Sequence, residues 1–158
     1  MSGRYASATS VSSGQSRMEI EHTLERYGAD QFVYGWEDGR SLIGFRMNGR
    51  QIKFILPMPD KSAEEFQKTP AKRQRRSPEA ALQAWEQACR QRWRALALVI
   101  KAKLEAVETG IVEFEDEFMA HVVLPDGQTF GSWAKPQIAS AYQSGDMPPL
   151  LPAPERKS

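Results

Sequence analysis

A single cysteine, Cys89, and two widely separated histidines, His22 and His121, are all that this chain of 158 residues has for disulfide or soft-metal chemistry. One cysteine excludes a disulfide within the chain, and no Cys/His zinc set can be assembled from so few ligands. Long apolar runs are also lacking. None approaches the roughly 18 residues that suggest a membrane span, and the Ser-rich start lacks the apolar centre of a signal peptide. The expectation is a cytoplasmic protein with no membrane partner. Neither GxSxG nor a P-loop occurs, nor any other nucleophile or phosphate-cradle motif, so no enzyme activity and no cofactor are expected.

What is present fits one α+β domain with tails: 41% of the residues are hydrophobic and 26% charged. The net charge of +1 hides a segregation. Lys68 to Lys103 holds ten basic residues against Glu79 and Glu86, whereas Glu105 to Glu117 holds six acids and no base. A basic stripe raises the local concentration of polyanions even on a nearly neutral molecule.

Residues 1–15, "MSGRYASATSVSSGQ", are small, polar and aperiodic, and read as a disordered tail. From residue 16 to 145 the chain reads as a single domain. Ser16 and Glu19 make a capping box, Ile20, Leu24 and Tyr27 share a helical face, and Gly28 supplies a stop, which predicts a short first helix. Asp38-Gly39 and Asn48-Gly49 sit between apolar-rich runs, the chemistry of two-residue hairpin turns, and predict a three-stranded antiparallel meander. That register sets Phe32 beside Phe45, Tyr34 beside Ile43, Phe45 beside Ile52 and Ile43 beside Phe54 on a core-facing side. The other side then carries Val33, Gly35, Leu42, Gly44, Arg46, Gln51, Lys53 and Ile55, read either as a half-solvated sheet or as a contact face for phosphates.

Residues 57–76 are polar and proline-punctuated and read as a flexible basic loop. Ser77-Pro78-Glu79 is a strong helix start, and the helix should run to Gly110, on the order of 50 Å. Its apolar stripe is Leu82, Trp85, Cys89, Trp93, Leu96, Ile100, Leu104 and Val107, so this long helix should pack on the sheet. Residues 111–131 are ambiguous between helix and strand. Ser132 is the expected cap of a last helix with Trp133, Ile138 and Tyr142 inside and Gly145 ending it, and residues 146–158 read as a proline-rich tail that either docks on a partner or packs locally.

Arg90, Arg94 and Lys101 share a helical face away from the tryptophans, and Lys72, Arg73, Arg75 and Arg76 stand just before the helix. With Arg46 and Lys53 they form the candidate nucleic-acid-binding set; the plain alternative is a solvated helix face with a basic loop. Positive charge crowded at a helix N-terminus opposes the macrodipole, so stability alone does not favour it there. Trp85 and Trp93 read as core, and Trp36 beside the Asp38-Gly39 turn is the better candidate for base stacking. Glu113, Glu117 and His121 would share a face if helical, but a solvated acidic patch is the default reading over a metal site.

Three stretches carry a resemblance: "RYGADQFVYGWEDGR", "AWEQACRQRWRALALVIKAKLEAVETGI" and "FEDEFMAHVVLPDGQTFGSWAKPQIASAYQSGDMPPLLP". The chain resembles a family of small phage and prophage proteins encoded among replication and recombination genes. That resemblance implies a phage protein in a bacterial cytoplasm and transfers no residue roles. The order helix, meander, long helix is also similar to phage single-strand annealing proteins, which are oligomers holding DNA in a basic groove, and to double-stranded-RNA-binding domains. The expected function is single-stranded-DNA binding or annealing, in an oligomer; the alternative is a module that binds a phage or host replication protein.

Overall fold

The computed structural model describes residues 2–71 and 73–147, with the side chains of the first helix described from residue 14 onward. The fold is α+β, as expected. Helix α1 (Ser2–Arg26) leads into strands β1 (Gln31–Glu37), β2 (Arg40–Met47) and β3 (Arg50–Pro57), then a short α2 (Glu64–Gln67) and the long α3 (Pro78–Glu108). A short α4 (Phe114–Phe118), a 3-10 turn (Met119–His121) and α5 (Phe130–Ser144) follow.

The meander forms in sequence order with the register set by its two turns. Asp38 and Gly39, like Asn48 and Gly49, all have positive φ, the type I′ geometry whose twist matches that of the strands. Phe32 pairs with Phe45, Tyr34 with Ile43, Phe45 with Ile52 and Ile43 with Phe54, as the pattern requires. The inner face packs Ile43, Phe45, Ile52 and Phe54 against Trp93, Leu96, Ile100 and Leu104 of α3 and against Ile20 and Leu24 of α1. Gly28 ends α1 as expected: its N–H reaches the Glu25 carbonyl, and the Ala29 N–H reaches back to Leu24.

Helix α1 departs from expectation at its start. It begins at Ser2, so Ser16 is an interior residue and residues 2–15 are helical where the composition predicts a tail. The part of α1 docked on α3 supplies a nucleus, and extending an existing helix is far easier than starting one; residues 2–15 contain no proline to prevent it.

Helix α3 has Ser77 as its cap, the hydroxyl accepting from the Ala80 N–H at 3.2 Å. Its 31 residues span about 46 Å, whereas eight-residue strands span about 26 Å. The N-terminal part therefore overhangs the sheet and needs a cover for Trp85 and Cys89. Residues 57–76 provide it. Phe66 of α2 packs on Trp85 and Cys89, forming a second small core. The Trp85 indole donates to the Pro59 carbonyl at 2.7 Å, the Arg76 N–H reaches the Gln67 carbonyl at 2.7 Å, and Lys68 bridges to Arg75. The connection that composition marks as flexible is thus folded onto the helix. Of the expected stripe, Leu82 is exposed and Val107 only partly buried.

The ambiguous residues 111–131 contain both kinds of structure. Phe114 and Phe118 of α4 enter the main core, Phe118 meeting Phe45 and Phe54 edge-on, after which Val122 bridges to Ile52 and Val123 to Thr129. Thr129, not Ser132, caps α5, accepting from the Ser132 N–H. Gly131 lies against Ala120 of the 3-10 turn, whose carbonyl a side chain at 131 would meet at 2.9 Å. Gly145 ends the helix in the left-handed conformation, but Ile138 and Tyr142 are 54% and 88% exposed rather than inside, because α5 meets the body only at its beginning. Of the expected proline-rich tail, residues 148–158 lie outside the described residues.

Candidate nucleic-acid interface

The nine candidate cations do not form one surface. Arg46 and Lys53 lie on the outer face of the sheet, whereas α3 covers the inner face, so a full layer separates them from Arg90, Arg94 and Lys101. Arg46 is also engaged: its Nε donates to both Asp30 carboxylate oxygens at 3.0 and 3.1 Å. The hydrogen bonds from that guanidinium hold the Asp30 carboxyl below its ordinary range, and the Asp30 carboxylate in turn raises the pKa of Arg46. Lys53 donates to the Gly127 carbonyl at 3.3 Å. Lys101 lines grooves between α1 and α3 together with Glu19, Arg26, Glu105 and Glu108, a setting in which its charge is locally offset.

Arg76 is structural as well, donating to the Glu65 and Phe66 carbonyls at the end of α2. Arg92, which pattern reading left out of the set, donates to the Pro57 carbonyl at 2.6 Å and ties α3 to the end of β3. Four candidates remain available for a ligand. Arg73 and Arg75 are exposed on the folded loop, Arg73 in a left-handed conformation (φ 50°) that the turn between Thr69 and Gln74 imposes. Arg90 is exposed and bonded only to its neighbour Gln87, at 2.6 and 3.2 Å, and Arg94 is exposed with no hydrogen bond or ion pair among the described residues. Lys72 lies outside the described residues.

The Arg92 bond to Pro57 and the pairing of Pro57 with Arg40 place the Asp38-Gly39 hairpin tip at the end of the molecule where the N-terminal half of α3 lies. Trp36, 45% exposed, and the exposed Arg40 stand at that tip. Arg40 was missed by sequence reading; its place directly after a predicted turn was the available signal. The opposite end is acidic: Arg50 pairs with Glu115 at 3.0 Å and Lys103 with Glu117 at 3.1 Å. The long helix thus converts a charge segregation along the chain into a basic end and an acidic end.

Trp85 and Trp93 are fully buried and cannot act as stacking platforms. Tyr34 is 5.6 Å from Trp93 and lies under the Arg17 guanidinium, and its hydroxyl, the Trp93 indole nitrogen and the Ser41 hydroxyl are buried with no hydrogen-bond partner among the described residues. Compared with known protein families, with curated proteins and with solved structures, the chain matches none. Function must therefore be argued from geometry.

For a metal site the geometry is unfavourable. Glu117 is held by Lys103, and the His121 ring stacks on Phe54 at 4.0 Å, its pKa lowered by burial and then by Lys103. Among the described residues no three His, Cys, Asp or Glu side chains group to hold an ion. Nor is any described helix long and apolar enough to cross a membrane.

Proposed function

We propose that this chain is a non-enzymatic phage protein of the bacterial cytoplasm that binds single-stranded DNA at its basic end, in replication or recombination. Arg73, Arg75, Arg90, Arg94 and Arg40 contact phosphates, and Trp36 offers a ring to an unpaired base. One observation carries the reading. While Arg46, Arg50, Lys68 and Lys103 each have a carboxylate partner, Arg73, Arg75 and Arg94 have none among the described residues. Arg73 and Arg75 also stand just before the N-terminus of α3, and the acids Glu105 and Glu108 sit in its last turn, both against the macrodipole. A charge arrangement that helix stability disfavours needs a ligand to explain it.

The test is fluorescence anisotropy of a labelled single-stranded oligonucleotide at several salt concentrations, with a duplex competitor. Replacing Arg73, Arg75 and Arg94 by Ala should weaken binding and flatten the salt slope by about 2, at roughly 0.7 per lost phosphate contact. Unchanged affinity in that variant, or no binding by the native chain at low salt, overturns the assignment. Docking on a replication protein is the second reading, and the exposed apolar side of α5 favours it. Such docking should survive salt that disrupts phosphate contacts.

A further inference from the structure

The two edges of the sheet differ. At β3 the edge is closed, because the Val123 N–H reaches the Gln51 carbonyl at 2.8 Å and Val122 bridges to Ile52. At β1 it is open. The residues that flank a two-residue turn bond each other and the bonding then alternates along the strands, so Glu37, Gly35, Val33 and Gln31 spend their backbone groups on β2. Phe32, Tyr34 and Trp36 turn theirs outward, and none of those N–H or C=O groups has a partner among the described residues.

Nothing in β1 protects that edge. Edge strands ordinarily carry a proline, a lysine, an inward-pointing charge or a bulge that blocks a further strand, whereas β1, "QFVYGWE", has none of these and pairs residue for residue from Gln31 to Glu37. The chain's own end is poorly suited to cover it. Helix α5 is attached beside β3, on the far side of the sheet, through the Phe130 N–H bond to the Val122 carbonyl. Residues 148–158, which follow, include Pro148, Pro149, Pro152 and Pro154, none of which can donate to a ladder.

We propose that two copies of this chain pair antiparallel along β1 about a two-fold axis at Tyr34, joining their meanders into one continuous sheet. The strand is complementary to itself in that register and in no neighbouring one. Tyr34 lies opposite the partner's Tyr34 and Phe32 opposite the partner's Trp36, so every outward N–H and C=O is matched; sliding the strands by two residues leaves some of them unpaired. Side chains agree. On the inner side aromatic residues meet aromatic residues, a favourable kind of cross-strand pair, and Trp36, 45% exposed, gains a cover. On the outer side Val33 lies opposite the partner's Gly35 and Glu37 opposite the partner's Gln31, whose amide donates to the carboxylate, so no like charges meet. The arginines assigned to phosphates take no part. Trp36 alone is shared with the DNA reading, and pairing of β1 stands or falls without nucleic acid.

The experiment is cysteine cross-linking of the full chain, with Val33→Cys and Gly35→Cys made separately. Both positions tolerate the change: Val33 is 64% exposed, a side-chain carbon at Gly35 would meet nothing, and the one native cysteine, Cys89, is buried. In the proposed register residues 33 and 35 of opposite chains form a non-hydrogen-bonded pair with Cα atoms about 4.5 Å apart, within disulfide range. Identical positions lie diagonally, about 7–8 Å apart, beyond it. Mild oxidation of an equal mixture should therefore give a disulfide-linked heterodimer, and oxidation of either variant alone should give none. Sedimentation velocity of the native chain from about 1 to 100 µM should show a dimer. Trp36→Pro removes an outward N–H that the chain itself does not use, so it should raise the dissociation constant at least tenfold while circular dichroism stays native, and Trp36→Val, which keeps that N–H, should raise it less. A native chain that stays monomeric overturns the proposal. So does a dimer whose variants cross-link with themselves as fast as in the mixture, or whose mixture does not cross-link at all.

Discussion

Truncating Phe66 to Ala tests the link between the fold and the basic end, because Phe66 is the side chain that seats residues 57–76 on α3. It is 5% exposed and closes over the fully buried Trp85 and Cys89. Removing a buried phenylalanine costs about 3–5 kcal/mol in general; the small, peripheral second core puts this site near 3 kcal/mol. The main core lies on the other half of α3, so the cost falls first on local opening of the segment rather than on global unfolding. At 1.4 kcal/mol per decade, about 3 kcal/mol raises the open population roughly a hundredfold, and trypsin cleavage tracks that population when closing is fast. Limited trypsinolysis, followed by mass spectrometry of cuts after Lys68, Arg73 and Arg75, should therefore show about a hundredfold faster cleavage in Phe66→Ala. DNA affinity should fall with it, since the arginines lose their fixed presentation. If the native chain is cut at these residues as fast as the variant, the segment is not seated by Phe66 and the geometry argued for Arg73 and Arg75 fails.

Acid sensitivity should centre on His121. Burial lowers its pKa from an ordinary value near 6.5, so the folded chain binds fewer protons than the unfolded chain just below that value. Stability from this group is full above about pH 6.5, the ordinary value, and is lost as pH falls from there through the lowered folded pKa. His121→Phe keeps a ring on Phe54 and should flatten the melting-temperature profile between pH 7.5 and 5; an unaltered profile refutes the assignment. Cys89 should be inert in the folded chain: burial pushes its thiol up to about 11, leaving about one thiolate in a thousand at pH 8. A thiol-reactive disulfide reagent should label it only after denaturant is added, and stoichiometric labelling within minutes in native buffer would contradict its burial.

Local elements were legible wherever one short-range signal decided them. Two Asx-Gly turns set the strand register through type I′ geometry alone, and Ser77-Pro78 set the start of α3. The apolar stripe likewise placed Trp85 and Trp93 in the core. Elements whose state depends on a distant partner were not legible. Residues 57–76 look like a loop because their polar composition carries no sign that Phe66 would find Trp85 beneath an overhanging helix. Ile138 and Tyr142 look like core residues because periodicity shows which side of a helix is apolar, not whether anything faces it. The cations suffered most. Helical spacing grouped Lys101 with Arg90 and Arg94, but only packing could bring α1 and its Glu19 beside Lys101 or fold Arg76 onto the end of α2, whereas Asp30 beside Arg46 was already implied by the β1–β2 register.

By itself, the sequence determined the α+β class, the meander and its register, the long helix with its start and its stop, and the separation of basic from acidic residues along the chain. These follow from turn chemistry, capping and periodicity, which act over a few residues and need no partner. Tertiary structure alone decided which cations stay available, whether the connection is folded, and which apolar faces are left uncovered. Those properties belong to pairs of groups far apart in the chain, and a side chain's hydrogen bonds, burial and charge environment are set by what the fold brings beside it.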